Sequence, residues 1–220
     1  MKNAIFMSLV LSAICMSAVE LDFTDSGKML DPVYKFSIRG KETIFAPEGL
    51  KITPSEQDKP TGIITSQKYP ALTPDGAFIF EVEFCLSPVE SNSKANRFFL
   101  WDNKYLFNGK THSGFMVYLD RQGIFYQANI LLGLEGNRQI GISAGKLALG
   151  DGKYHILKFK FDPSGRLEIY CDGELKKTTL ASAGNVAGAK YMTAIGSRVG
   201  SRYFPLGGII RKIKITPVEK

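Results

Sequence analysis

DGKYHILKFKFDPSGRLEIYCDG, residues 151–173, is the stretch from which the fold is read. From Tyr154 to Asp162 the side chains alternate, with His155, Leu157, Phe159 and Phe161 on one side and Ile156, Lys158 and Lys160 on the other. A period of two with large apolar residues on one face marks a strand half-buried against a core. Pro163-Ser164-Gly165 supplies a preset φ, a short hydroxyl and a residue free to take positive φ, so the chain turns back on itself. Leu167, Ile169 and Cys171 continue the alternation until Asp172-Gly173 turns it again.

The same period extends outward from this hairpin. Phe78 to Leu86 sets Phe78, Phe80, Val82, Phe84 and Leu86 opposite Ile79, Glu81, Glu83 and Cys85, and Ser87-Pro88 ends the run. Gly114 to Leu119 and Gly123 to Leu132 form a pair with Asp120-Arg121-Gln122-Gly123 as its turn. Ile209 to Thr216 reads as the last strand. Leu21 to Ala71 is less regular, with short strand candidates at Tyr34 to Ile38, Gly49 to Thr53 and Gly62 to Thr65. No window carries an amphipathic helix. The expectation is an all-β chain folded as an antiparallel two-sheet sandwich, a single domain over residues 19–220.

The composition, 44% hydrophobic and 22% charged with 22 Gly and 10 Pro, excludes disorder, collagen and a multi-span membrane protein. Lys and Arg total 28 against 21 Asp and Glu, a formal charge of +7 without a basic run, which favours anionic partners without naming one. Residues 1–18 have the layout of a secretory signal peptide: Lys2, the apolar stretch Ala4 to Ala18, then small residues before Glu20. That stretch is shorter than the roughly 20 residues a membrane-crossing helix needs, and no later segment comes close. Cleavage after Ala18 yields a secreted, periplasmic or cell-surface protein without a transmembrane segment. Lipidation at Cys15 is the rival form, and the bulk of Ile14 before that cysteine argues against it. Export permits a disulfide between Cys85 and Cys171, or leaves two free thiols; Cys171 falls on a core face and Cys85 beside Glu81 and Glu83.

Four segments carry a resemblance to a known family. Asp151-Gly152-Lys153-Tyr154-His155 is similar to its Asp-Gly-x-Trp-His motif, with Tyr154 in the Trp place. Gly165 to Leu175 resembles its Leu-x-Leu-Tyr-Val-Asp-Gly hairpin. Phe80 to Pro88 resembles its Phe-x-Val-Glu-x-Trp-Val-x-Pro strand, with Cys85 where Trp is usual. Ala194-Ile195-Gly196-Ser197 and Gly208 to Ile215 resemble its closing segments, and Leu21-Asp22-Phe23 is a weaker match near the start. The order and spacing are those of LamG-like domains in the concanavalin A-like lectin and glucanase superfamily. That resemblance implies a jelly roll. Arg211 and Lys212 stand where the family has an acidic pair, so no role of those acids carries over.

Glycoside hydrolases on this fold place paired carboxylates on alternate residues of one strand. Glu81 and Glu83 are the catalytic candidates, but the third acid of the hydrolase pattern is missing, with Leu86 and Ser87 in its region. His112 and His155 lie too far apart in sequence to suggest a zinc site, and His155 fills the family's structural position. Asp102 and Asn103 could face a calcium ion but read as a turn, so no metal and no cofactor is expected. Sugar recognition calls for aromatic faces beside Asn, Asp and Arg. Trp101 shares a face with Arg97 and Phe99; Tyr118 lies opposite the apolar face of its strand, with Tyr126 and Asn129 on the neighbouring one; and the loop 196–204 carries Arg198, Arg202 and Tyr203. Nucleic acid is excluded because no aromatic-interleaved basic stripe exists and export removes the usual targets. The reading is a non-catalytic module binding a polysaccharide or glycan, an anionic one where the arginines engage, or a surface partner. A polysaccharide hydrolase or lyase and a protein–protein interaction domain are the alternatives.

Overall fold

The computed structural model describes residues 18–24, 33–54, 60–89, 93–104, 112–199 and 205–218. Fifteen strands lie among them: β1 (Val19–Asp22), β2 (Phe36–Ile38), β3 (Thr43–Ala46), β4 (Gly49–Ile52), β5 (Ile63–Thr65), β6 (Phe78–Leu86), β7 (Arg97–Asp102), β8 (Phe115–Gln122), β9 (Phe125–Leu134), β10 (Arg138–Leu147), β11 (Tyr154–Phe161), β12 (Arg166–Cys171), β13 (Glu174–Leu180), β14 (Ala194–Ile195) and β15 (Gly208–Pro217). They form two antiparallel sheets packed face to face, a jelly-roll-like sandwich. An eight-stranded sheet runs β13-β12-β11-β6-β15-β4-β3, with β1 also paired to β15; a seven-stranded sheet runs β10-β9-β8-β7-β14-β5-β2. Among the described residues no helix is long and apolar enough to cross a membrane.

The alternation in β6 and β11 is realised: Phe78, Phe80, Val82, Phe84, Leu157, Phe159 and Phe161 all point into the interior. They meet Trp101 and Phe115 from the other sheet, with Phe80 edge-on to both rings at 5.7 Å and Trp101 stacked on Phe115 at 5.5 Å. Offset and edge contacts of this kind add to area burial in holding two sheets in register.

One expectation changes, and one left open is decided. The β8–β9 turn lies at Gly123-Ile124 rather than Asp120–Gly123, because Gln122 pairs with Phe125 and Gly123 takes the positive φ of 67°. Cys85 and Cys171 are both free. β11 lies between their strands, and Cys171 faces the core while Cys85 sits on the outer side with Glu81 and Glu83. Two strand spacings come to about 9–10 Å, beyond the roughly 7 Å span of a disulfide, and the side chains point apart.

Candidate functional site

The outer face of the seven-stranded sheet carries three cross-strand rows. Arg97 pairs with Asp120 and Asp120 with Gln127; Phe99 with Tyr118, Tyr118 with Asn129 and Asn129 with Ser143; Met116 with Leu131 and Leu131 with Gly141. Phe99 and Met116 form a small apolar cluster separate from the core, flanked by Tyr118 and Leu131. The Phe99 and Tyr118 rings stack at 5.3 Å. Two guanidinium groups close on this pair. Arg97 lies 5.2 Å from the Tyr118 ring centre and 6.0 Å from that of Phe99, and Arg198 reaches from the segment after β14 to 5.6 Å from Phe99. Arg97 donates to Asp120, Asn129 donates to the second Asp120 oxygen at 3.4 Å, and Ser143 donates to Asn129 at 2.6 Å. Burial and the Asp120 carboxylate push the Tyr118 phenol up, so it remains a neutral hydroxyl. Phe99 is buried beneath this cover, so half-buried Tyr118 is the aromatic surface left beside a row of carboxylate, amide and hydroxyl laid across four strands.

Of the residues singled out by sequence, Arg198, Tyr118 and Asn129 are brought together here, with Arg97 and Phe99. Trp101 is not on this face. The β7–β8 register shifts between Phe99 and Trp101, a bulge at Leu100 that places Trp101 opposite the core residue Val117. Tyr126 also turns inward, since it shares its side of β9 with Ala128, Ile130 and Leu132. Arg202 and Tyr203 lie outside the described residues.

Asp102 anchors Arg198. Its carboxylate is fully buried and accepts the backbone N–H of Lys104 at 2.9 Å and that of Val199 at 3.0 Å, with the Arg198 Nε 3.9 Å away. Burial pushes its pKa up to about 6 against those contacts and the charges of Arg198 and Lys104. Lys104, equally buried, donates from Nζ to Gln139 at 2.8 Å, with His112 Nδ1 at 3.5 Å; burial pushes it down to about 8 while Asp102 pulls the other way. This charged cluster gave no sequence signal, because a Lys beyond a strand end reads as solvated. Asn103 is a bracket: its amide donates to Leu72 O and Thr73 Oγ1 and its carbonyl accepts from Phe115 N, so the side-chain groups of Asp102 and Asn103 are taken up by protein donors and acceptors.

Glu81 and Glu83 lie on the outer face of the other sheet. Lys158 meets Glu81 and Arg211 meets Glu83, each at 2.9 Å, beside a depression of about 170 Å³ also lined by Glu20, Lys212 and Lys214. Arg211 stacks on Tyr154 at 3.7 Å, which is what the basic residue at that position does. A larger cleft of about 290 Å³ lies beside Phe78, Phe161 and Val218, where Glu168 already holds Arg166 and the Tyr170 hydroxyl.

His155 fits between two carboxylates, Nδ1 to Asp172 at 2.8 Å and Nε2 to Asp151 at 2.9 Å. His155, Cys171 and Asp172 also bring ligand-type atoms within 4.8 Å of one another, but both ring nitrogens are spent on the carboxylates. Burial opposes the imidazolium charge and the two carboxylates outweigh it, so its pKa is raised above 6.5. The stabilisation is therefore complete below pH 6.5 and fades as pH rises through the folded-state value; the lowered Asp151 and Asp172 withdraw it again in acid. The stability gap between wild type and His155→Gln, measured by urea unfolding, should shrink from pH 6 to pH 9, and a constant gap would contradict the clasp.

No family model and no curated protein sequence matches the chain. Solved structures do. The binding domain of Paraclostridial Mosquitocidal Protein 1 is similar over 83% of this chain and 44% of its own, with a TM-score of 0.59 at 9% identity. The binding domain of botulinum neurotoxin serotype D/C gives 0.58 at 14% identity, covering 83% and 44%. A structure of botulinum neurotoxin type C, a protein whose interaction with two ganglioside molecules governs its uptake by cells, gives 0.59 at 15% identity, covering 83% and 43%. The chain spans less than half the length of each, and at these identities the likeness establishes the two-sheet sandwich fold these proteins have in common.

Proposed function

We propose that this chain is an exported LamG-like jelly roll that binds an acidic glycan on the outer face of its seven-stranded sheet, by stacking and charge-assisted hydrogen bonds and without covalent chemistry. One observation carries the reading: Arg97 and Arg198 converge on the stacked Phe99–Tyr118 pair on a sheet face, where the core does not need them. Half-buried Tyr118 offers a flat apolar surface to a sugar ring, and Asp120 and Ser143, positioned by the buried Asn129, offer hydrogen bonds to its hydroxyls. The two arginines suit a carboxylate or sulfate group. The signal-peptide layout of residues 1–18 supports meeting such a ligand outside the cell. The ganglioside partner of the type C neurotoxin makes acidic glycans the first class to test.

The test is a glycan array with neutral, carboxylated and sulfated polysaccharides at low and raised salt. Binding should favour the acidic set and weaken with salt. Tyr118→Ala and Arg97→Ala should each weaken it about tenfold, the loss of roughly 1.4 kcal/mol. Unchanged binding by both variants would remove this face from consideration, and shortening of the polysaccharide in the same wells would indicate a hydrolase or lyase instead.

A further inference from the structure

The β8–β9 hairpin ends in a two-residue turn, Gly123-Ile124, where polar residues are the rule. Ile124 is 82% exposed, more than any other large apolar side chain among the described residues, and Phe125 beside it is 40% exposed. The fold does not require either. Gly123 alone takes the positive φ the turn needs, and the core face of β9 begins at Tyr126. An apolar pair at the tip of a rigid hairpin loses free energy to water unless something covers it.

The surroundings indicate what does. Arg121 folds back over the turn, Nε donating to Gly123 O at 3.2 Å, while its Nη1 holds the carbonyls of Ser93 and Ala95. The segment so held, 93–96, exposes Lys94. On the other flank, β10 loses register between Ala144 and Leu147, and the bulge exposes Lys146 next to the residue that pairs with Tyr126. Residues 93–96, 121–127 and 144–150 contain no carboxylate, and two exposed cations, Lys94 and Lys146, besides the Arg121 whose guanidinium the carbonyls hold. The nearest acid on the hairpin, Asp120, is held by Arg97 on the sheet face. Two exposed apolar side chains on a turn flanked by exposed lysines match the layering of an anionic bilayer, with hydrocarbon beneath charged head groups.

We propose that the Ile124-Phe125 tip inserts into the interfacial layer of an anionic lipid membrane, with Lys94 and Lys146 at the head groups. This surface is independent of the glycan face, so the two can fail separately. The test is flotation of the protein, in the form the cell releases, with vesicles of phosphatidylcholine alone and of phosphatidylcholine containing phosphatidylserine. The protein should float with the phosphatidylserine vesicles and little with the neutral ones. Ile124→Ser with Phe125→Ser should reduce the bound fraction about tenfold, and Lys146→Glu should reduce it several-fold. All three sites are exposed, so the far-ultraviolet spectrum should be unchanged. Tyr118→Ala should float as wild type does. Absence of flotation with either vesicle, equal flotation with both, or a double serine variant that binds as well as wild type would overturn the proposal. In the last case the exposed tip would belong to a protein contact.

Discussion

Replacing Trp101 by alanine should cost about 3–5 kcal/mol, the range for removing a buried aromatic side chain from a core that cannot collapse around the void. The site gives little room for collapse. The indole stacks on Phe115 from its own sheet and meets Phe80 from the other, so its removal opens a gap on both layers at once. For a chain of this size the melting temperature should fall by roughly 10 °C or more. Trp101→Phe sharpens the reading. The indole N–H is buried with no hydrogen-bond partner among the described residues, and an orphaned donor costs roughly 1–3 kcal/mol. Phenylalanine keeps a ring against Phe115 and removes that donor, so its penalty should be less than half that of alanine. Equal penalties would mean that ring contact with Phe115 and Phe80 is not what Trp101 supplies. A small loss for alanine would contradict its placement between the sheets.

The residues that carried the fold in the sequence are those with one wet and one dry side. β6, β11 and β12 alternate because each has a core face, and the hairpin 154–171 is visible from that alone. β13 shows nothing comparable: Glu174 to Leu180 is exposed along almost its whole length, so neither face imposes apolar residues. β10 is masked by small residues, with Ile140, Ile142 and Ala144 interleaved with Gly141, Ser143 and Gly145. At the site, Tyr118 and Asn129 follow from the period-two count. Tyr126 would also have been placed correctly by counting from Ile130 and Leu132, which share its side. Trp101 could not be placed by counting, since the bulge at Leu100 involves no glycine and reverses the alternation without a local cue. Lys104 with Gln139, and Asp102 with Val199, join residues far apart in sequence through polar contacts, which leave no periodic trace.

Asp102→Ala should be as damaging as the loss of Trp101, for a different reason. The substitution leaves the backbone N–H groups of Lys104 and Val199 without their acceptor and two cations, Lys104 and Arg198, without their carboxylate. Breaking a buried charge cluster by removing one member costs about 3–5 kcal/mol, because the remaining charge stays uncompensated. The pH dependence separates this from a packing defect. Asp102 has a folded-state pKa raised to about 6 against 3.8, so its contribution is fully present below about pH 4 and diminishes as pH rises through 6. Lys104, pushed down to about 8, destabilises the fold once protonated, and without Asp102 to favour its charge that penalty deepens in the variant as pH falls. Both effects act in one direction. The stability difference between wild type and Asp102→Ala, from urea unfolding, should be larger at pH 5 than at pH 7.5. A difference that is constant or smaller at pH 5 would show that burial does not hold Asp102 above the ordinary carboxylate range in the folded protein. The same variant should weaken acidic-glycan binding, since the carboxylate that fixes Val199 is what holds Arg198 over Phe99.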